Sequence, residues 1–128
     1  MKLDNAAAVR REPDPAGVLT RAALRAAELL HLRHAQLAAV LGVSAATVSR
    51  LARAGLTLEP SSKPWEHAVL FVRAFRALDA IVGGDDATAR AWLDAENLAL
   101  GGRPRELITS TEGLVRVVHY LDAMRAPL

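Results

Sequence analysis

The stretch from Leu37 to Leu51, LAAVLGVSAATVSRL, leaves a chain of this length few choices of fold. Two helices that cross closely need a small residue on the first and a sharp turn soon after it, and Ala38 and Gly42 stand four positions apart to meet both needs. Ser44 is a natural N-cap, its hydroxyl accepting from a free N–H of the next turn, so the second helix should begin at Ala45. Leu37, Leu41, Val43, Val48 and Leu51 form an inner set, which leaves Ala45, Ala46, Ser49 and Arg50 outside. The combination predicts a helix-turn-helix, with that outer face as the DNA surface; the competing reading is an ordinary helical hairpin.

The flanking segments read as support. Residues 1 to 14, with Pro13 among them and Pro15 just after, show no sustained periodicity, which predicts an arm rather than an element. Arg10 and Arg11 in it read as a solvated basic tail or as a minor-groove arm. From Pro15 to Leu32 the spacing of Val18, Ala22, Leu24 or Arg25, Leu29 and Leu32 predicts an amphipathic helix packed under the helix-turn-helix, with Arg33 and His34 opening the next helix. After Leu51 the pattern fades through Arg53, Ala54 and Gly55, and LTLEPSSKP marks a short connector and the clearest internal boundary. It divides the chain into an arm (1–14), a helix-turn-helix part (15–64) and a C-terminal part (65–128).

The C-terminal part starts with its most hydrophobic stretch, WEHAVLFVRAFRALDAIVG. Trp65, Val69, Val72, Phe75, Leu78 and Val82 fall at near-helical spacing, and Leu70, Phe71 and Ile81 broaden the stripe. A helix from Trp65 that is apolar over so much of its surface should be buried on more than one side, with a face left for a second copy. Arg73, Arg76 and Asp79 inside it argue against a membrane span. Gly83 and Gly84 should stop it, and Asp85 or Asp86 should cap another helix through Ala89, Trp92 and Leu93. In ENLALGGRPREL, Gly101 and Gly102 permit unusual backbone angles, Pro104 suits a first helical position, and Arg103 projects between them. The turn either presents Arg103 to a partner or is a plain connection. Thr109, Ser110 or Thr111 caps a last helix with a stripe of Leu114, Val117 or Val118, Leu121 and Met124, ended by Pro127. No strand-like alternation persists, so the expected fold class is all-α: an N-terminal helix-turn-helix bundle followed by a small helical C-terminal part.

Composition narrows the function. With 52% hydrophobic residues the 128-residue chain can bury a core without crosslinks, and having no cysteine it has neither disulfides nor thiolate metal sites. The opening residues suggest neither a signal peptide nor a membrane span, so a soluble protein compatible with a reducing cytoplasm is expected. The net charge of +2 is unevenly spread. Residues 1 to 53 carry 8 basic and 4 acidic side chains and the remainder 8 and 10, so the positive excess lies with the helix-turn-helix. Catalysis is not indicated. His31 and His34, spaced i, i+3, have no third metal ligand nearby in sequence, His67 lacks the second histidine of a zinc protease motif, and His119 stands alone. The expectation is a protein that is not an enzyme and needs no cofactor or metal.

The segments FVRAFRALDAIVGGDDATARAWLDAENLALGGRPRELI and STEGLVRVVHYLDAM resemble the C-terminal region of the Xre/MbcA/ParS antitoxins, and the likeness extends over roughly residues 18 to 125. Helix, Gly-Gly loop, Arg-Pro turn and final helix recur in that order. The resemblance implies an Xre-like helix-turn-helix joined to a region that covers the active site of a RES-domain toxin, a type that consumes NAD. It further implies a homodimer within a toxin–antitoxin hetero-oligomer that represses its own operon by binding operator DNA. By position it implies that Trp92, Asn97, Leu100, Gly101, Gly102, Arg103, Pro104 and Leu107 contact the toxin. The DNA-binding set would be Ser44, Ala45, Ala46, Thr47, Ser49, Arg50 and Arg53. Two departures thin the DNA surface: Arg33 and His34 stand where the family often has Ser or Thr followed by Gln, and Ala45 and Ala46 offer no hydrogen bonds to bases. Sequence readout would then rest on Ser44, Thr47, Ser49 and Arg50. A free-standing Xre-like DNA-binding regulator without a toxin is the alternative.

Overall fold

The computed structural model describes residues 14–126. The N-terminal arm with Arg10 and Arg11, and Pro127 at the other end, lie outside them. Seven helices form among the described residues: α1 (Pro15–Leu29), α2 (His34–Leu41), α3 (Ala45–Arg53), α4 (Lys63–Ile81), α5 (Asp86–Asp94), the single turn α6 (Pro104–Leu107) and α7 (Thr111–Arg125). There is no strand among them, only an isolated bridge between Asn97 and Gly102. The fold class is all-α, as the sequence predicts, and no single described helix is long and apolar enough to cross a membrane.

The helix-turn-helix forms as its residue pattern requires. Helix α2 ends at Gly42 in the left-handed conformation, and α3 leaves the turn at 106° to it. The Ser44 hydroxyl accepts the Thr47 N–H at 3.1 Å, which starts α3 at Ala45. Leu37, Ala38, Leu41, Val48 and Leu51 are buried, and Val43 packs half-buried against them. Arg33 cannot supply the missing cap with its side chain. Instead its backbone N–H donates to Gln36 Oε1 at 2.8 Å, one half of a capping box.

Helix α1 corrects two expectations. It stops at Leu29 rather than Leu32, because His31 takes a left-handed backbone (φ 58°) and closes a Schellman motif. The Leu32 N–H bonds to the Ala27 carbonyl at 2.8 Å and the His31 N–H to that of Glu28 at 3.1 Å. His31 is thereby in a turn while His34 opens α2, so the two share no helix face. The buried stripe is also displaced, running through Ala16, Gly17, Thr20, Ala23, Ala26 and Ala27, with Val18 exposed. Small residues face inward because α1 lies close against α4.

Helix α4 is central, packing on α1, α2 and α7. It begins at Lys63, two residues before the expected start at Trp65, since Ser62 Oγ caps it by accepting the Trp65 N–H and Pro64 needs no donor in a first turn. Its inward line is Ala68, Phe71, Val72, Ala74, Ala77 and Leu78, while Val69 and Ile81, assigned to the stripe, are exposed. On α7, Ser110 is the cap and Leu114, Val117, Val118 and Leu121 are buried, but Met124 is exposed. The two parts of the chain therefore share α4.

The connector is fastened to α1 at its middle. Thr20 is buried; its hydroxyl donates to the Ala16 carbonyl at 2.6 Å and accepts the Leu58 N–H at 3.1 Å, and the Leu58 side chain sinks into the core. Replacing Thr20 by valine keeps the shape and strands that N–H. Thr20→Val should cost about 1–3 kcal/mol, read as a lower urea midpoint at unchanged slope.

Candidate functional site

Two separate surfaces carry the expected binding residues. On α3, Ser44, Ala45, Ala46, Arg50 and Arg53 are exposed, and Thr47 and Ser49 half-buried. Ser44 Oγ and Thr47 Oγ1 lie 2.9 Å apart, and the Arg50 guanidinium donates to Thr47 Oγ1 at 3.3 Å. These three polar side chains form a hydrogen-bonded row along the outward face. Ala45 and Ala46 add only methyl groups, a surface suited to close approach but sparse in donors and acceptors.

The second surface is the segment between α5 and α6. Asp85 caps α5, accepting from the Ala87 N–H at 3.2 Å and the Thr88 hydroxyl at 2.9 Å. The Thr88 hydroxyl first, and then the backbone N–H groups, hold its carboxyl below the usual aspartate range. Its folded-state pKa being lowered, the cap favours the fold above the ordinary carboxylate range and loses that contribution in acid. After α5 the chain closes into a compact turn. Asn97 donates its N–H to the Gly102 carbonyl at 3.0 Å and its own carbonyl accepts from Gly101 and Gly102, while Asn97 Oδ1 accepts the Leu100 N–H at 3.0 Å. Gly101 sits at φ 80°, and the Arg116 guanidinium of α7 reaches the Leu100 carbonyl. Every flank of the turn is tied down.

The eight residues assigned to partner binding divide accordingly. Leu100 and Pro104 are buried and hold the turn from inside. Trp92 is half-buried, stacked on Tyr120 with ring centroids 6.2 Å apart, and Leu107 packs half-buried against the core. Asn97 and Gly102 are occupied in the bridge. Gly101 and Arg103 are exposed. Arg103 has only a loose ion pair, 3.9 Å to the exposed Glu106, which water screens heavily. Its guanidinium is free to be taken up by something else.

Several anchoring residues are legible only in three dimensions. Arg105 pairs with Asp94 and donates to the Leu30 carbonyl at 3.2 Å, and Arg90 donates to the Leu29 carbonyl at 2.9 Å. The two guanidiniums satisfy carbonyls that α1 leaves open at its end. On α7, a Cβ built on Gly113 would lie 1.9 Å from the Leu107 carbonyl oxygen, so only glycine lets α7 press against α6. A glycine near the start of an amphipathic helix is the one sequence signal that could have pointed to it.

A helix-turn-helix that exposes Arg50, joined to a hydrogen-bonded turn that exposes Arg103, is the make-up of a DNA-binding regulator with a separate partner-binding part. Family comparison makes this specific. The model of the antitoxin Xre-like helix-turn-helix domain matches residues 9–73, and that of the antitoxin Xre/MbcA/ParS C-terminal toxin-binding domain matches residues 77–126. The chain belongs to the Xre/MbcA/ParS antitoxins and is the antitoxin of a toxin–antitoxin pair. No curated protein matches it. The junction between the two matched segments falls inside α4.

Helix propensity favours alanine over glycine by about 1 kcal/mol, yet at Gly113 the collision with the Leu107 carbonyl should dominate. Gly113→Ala is expected to lower stability by roughly 1–3 kcal/mol in chemical denaturation and to shift the backbone resonances of residues 104–110. A gain in stability would show that α6 yields easily.

Proposed function

We propose that this antitoxin blocks a RES-type NAD-degrading toxin by seating the Gly101–Pro104 turn and α7 at the entrance of the toxin's active site. The observation that carries the reading is the turn itself: a backbone closed by its own hydrogen bonds, with Arg103 exposed at its end inside the toxin-binding segment. A guanidinium so placed can pair bidentately with an acidic group, and the loop loses little freedom when it does. NAD in this scheme is the toxin's substrate, and the antitoxin works by occlusion, with no catalytic residue, metal or cofactor of its own. The protein would act in the cytoplasm, where the toxin finds NAD.

The helix-turn-helix would repress the operon that encodes the pair, with Ser44, Thr47, Ser49 and Arg50 reading bases, Arg53 meeting phosphate, and Ala45 and Ala46 allowing close approach to the groove. The exposed Arg50, held by Thr47, supports this. Operator half-sites call for two copies, and a homodimer is supported by the apolar side chains that α1 and α4 leave outside, Val18 and Val69 each 43% exposed, along an open groove of about 560 Å³. The functional division would be a leading arm (1–14), a DNA-binding part (15–64) and a toxin-binding and dimerising part (65–128).

Arg103→Glu should leave the thermal unfolding of the protein unchanged and release toxin activity in an NAD-consumption assay with the product of the adjacent reading frame; undiminished inhibition would remove Arg103 from the interface. Arg50→Ala should weaken operator binding by about 1–3 kcal/mol in a mobility-shift titration. An unchanged titration would make Arg50 a structural residue.

A further inference from the structure

The most exposed large apolar side chain among the described residues is Leu98, at 98% of its full surface. The next, Met124, is 52% exposed, and Leu56, Val18, Val69 and Ile81 are all less so. Half-covered aliphatics are ordinary on a protein surface, but a leucine held almost wholly in water contributes nothing to the fold that carries it. Its setting is equally unusual. Leu98 and the exposed Ala99 form the tip of the turn whose base is closed by the Asn97–Gly102 bridge, the Asn97 side chain and the Arg116 guanidinium, with the neighbouring Leu100 driven into the core as a peg. A flexible loop could fold a leucine back onto the surface. This one is held outward.

We infer that Leu98 is the apolar anchor of the toxin interface, entering a pocket on the toxin while Arg103, five residues on, meets an acidic group beside that pocket. The inference rests on the toxin-binding reading and names the residue that reading lacks. Leu98 lies within residues 77–126, matched as toxin-binding, on the same rigid turn as the loosely paired Arg103, so one docking event takes up both. Apolar anchors on preset loops supply much of an interface's affinity, because burial is gained without a further cost of ordering the backbone. The partner chemistry is an apolar hole with an acidic margin.

The test is calorimetric titration of the full-length protein into the purified product of the adjacent reading frame, with Leu98→Ala, Leu98→Asp and, as a surface control, Leu56→Asp. Wild type and Leu56→Asp should bind alike, Leu98→Ala should bind roughly tenfold to a hundredfold more weakly, and Leu98→Asp weaker still, with the melting temperature unchanged in both Leu98 variants. Wild-type affinity in Leu98→Asp would overturn the anchor and leave the antitoxin reading standing, whereas failure of the wild type to bind would overturn both. Light scattering on the isolated proteins separates the other occupants. Loss of self-association in Leu98→Asp would assign the residue to a second copy, and vesicle binding by the wild type that the variant lacks would assign it to lipid.

Discussion

Close helix approach through alanine is the constraint on which the rest of this structure depends. Only 4% of the residues are aromatic, and the buried positions of the two contacting helices α1 and α4 include Ala23, Ala26 and Ala27 on the first and Ala68, Ala74 and Ala77 on the second. Small side chains fill a core only if the helix axes come near, and near axes leave little room for anything larger between them. Phe71 and Leu78 therefore occupy the wider spaces toward α7, while Val18 and Val69 are turned outward. The same crowding explains the single glycine contact of α7 on α6. Both candidate surfaces rest on few anchors: α3 is held on the core by Val48 and Leu51, and the turn after α5 is held by one buried leucine and a set of hydrogen bonds.

The parts that could be read from sequence were those specified locally. Ser44, Gly42 and the small-residue spacing between them specify a turn within about ten residues, and no distant contact competes with it. The end of α1 was not readable in that way, since a histidine rather than a glycine takes the left-handed position and nothing in the local pattern announces it. The start of α4 was misplaced by two residues because Pro64 looks like a break when read as punctuation, yet fits a first turn once Ser62 caps it. The exposed members of the expected stripes, Val18 on α1 and Val69 and Ile81 on α4, share one cause. Hydrophobicity favours valine over alanine for the interior, whereas close packing selects for size.

At the partner-binding turn, Gly101 and Arg103 were legible as a motif, but their neighbours were not sorted. Spacing alone does not distinguish Leu98 from Leu100, two residues apart in one short segment. Which of them becomes the peg and which the tip depends on the bridge between Asn97 and Gly102 and on an arginine from α7. Nothing local marks Arg90, Arg105 or Arg116, and each is recognised as a brace only when the carbonyl it serves, on another element, is brought beside it.

Arg90 and Arg105 bear on how such a protein can diversify. Both belong to the segment matched as toxin-binding, and both end on carbonyls of Leu29 and Leu30 in the segment matched as helix-turn-helix. The halves are therefore not portable cassettes. A recombinant antitoxin that kept one helix-turn-helix and borrowed another toxin-binding region would inherit guanidiniums aimed at a helix end of different length, or a helix end with no guanidinium at all. Partner exchange by shuffling would succeed only between lineages that keep this seam in register, so new specificities are more readily reached by point changes at the tip of the turn, where no internal contact is at stake.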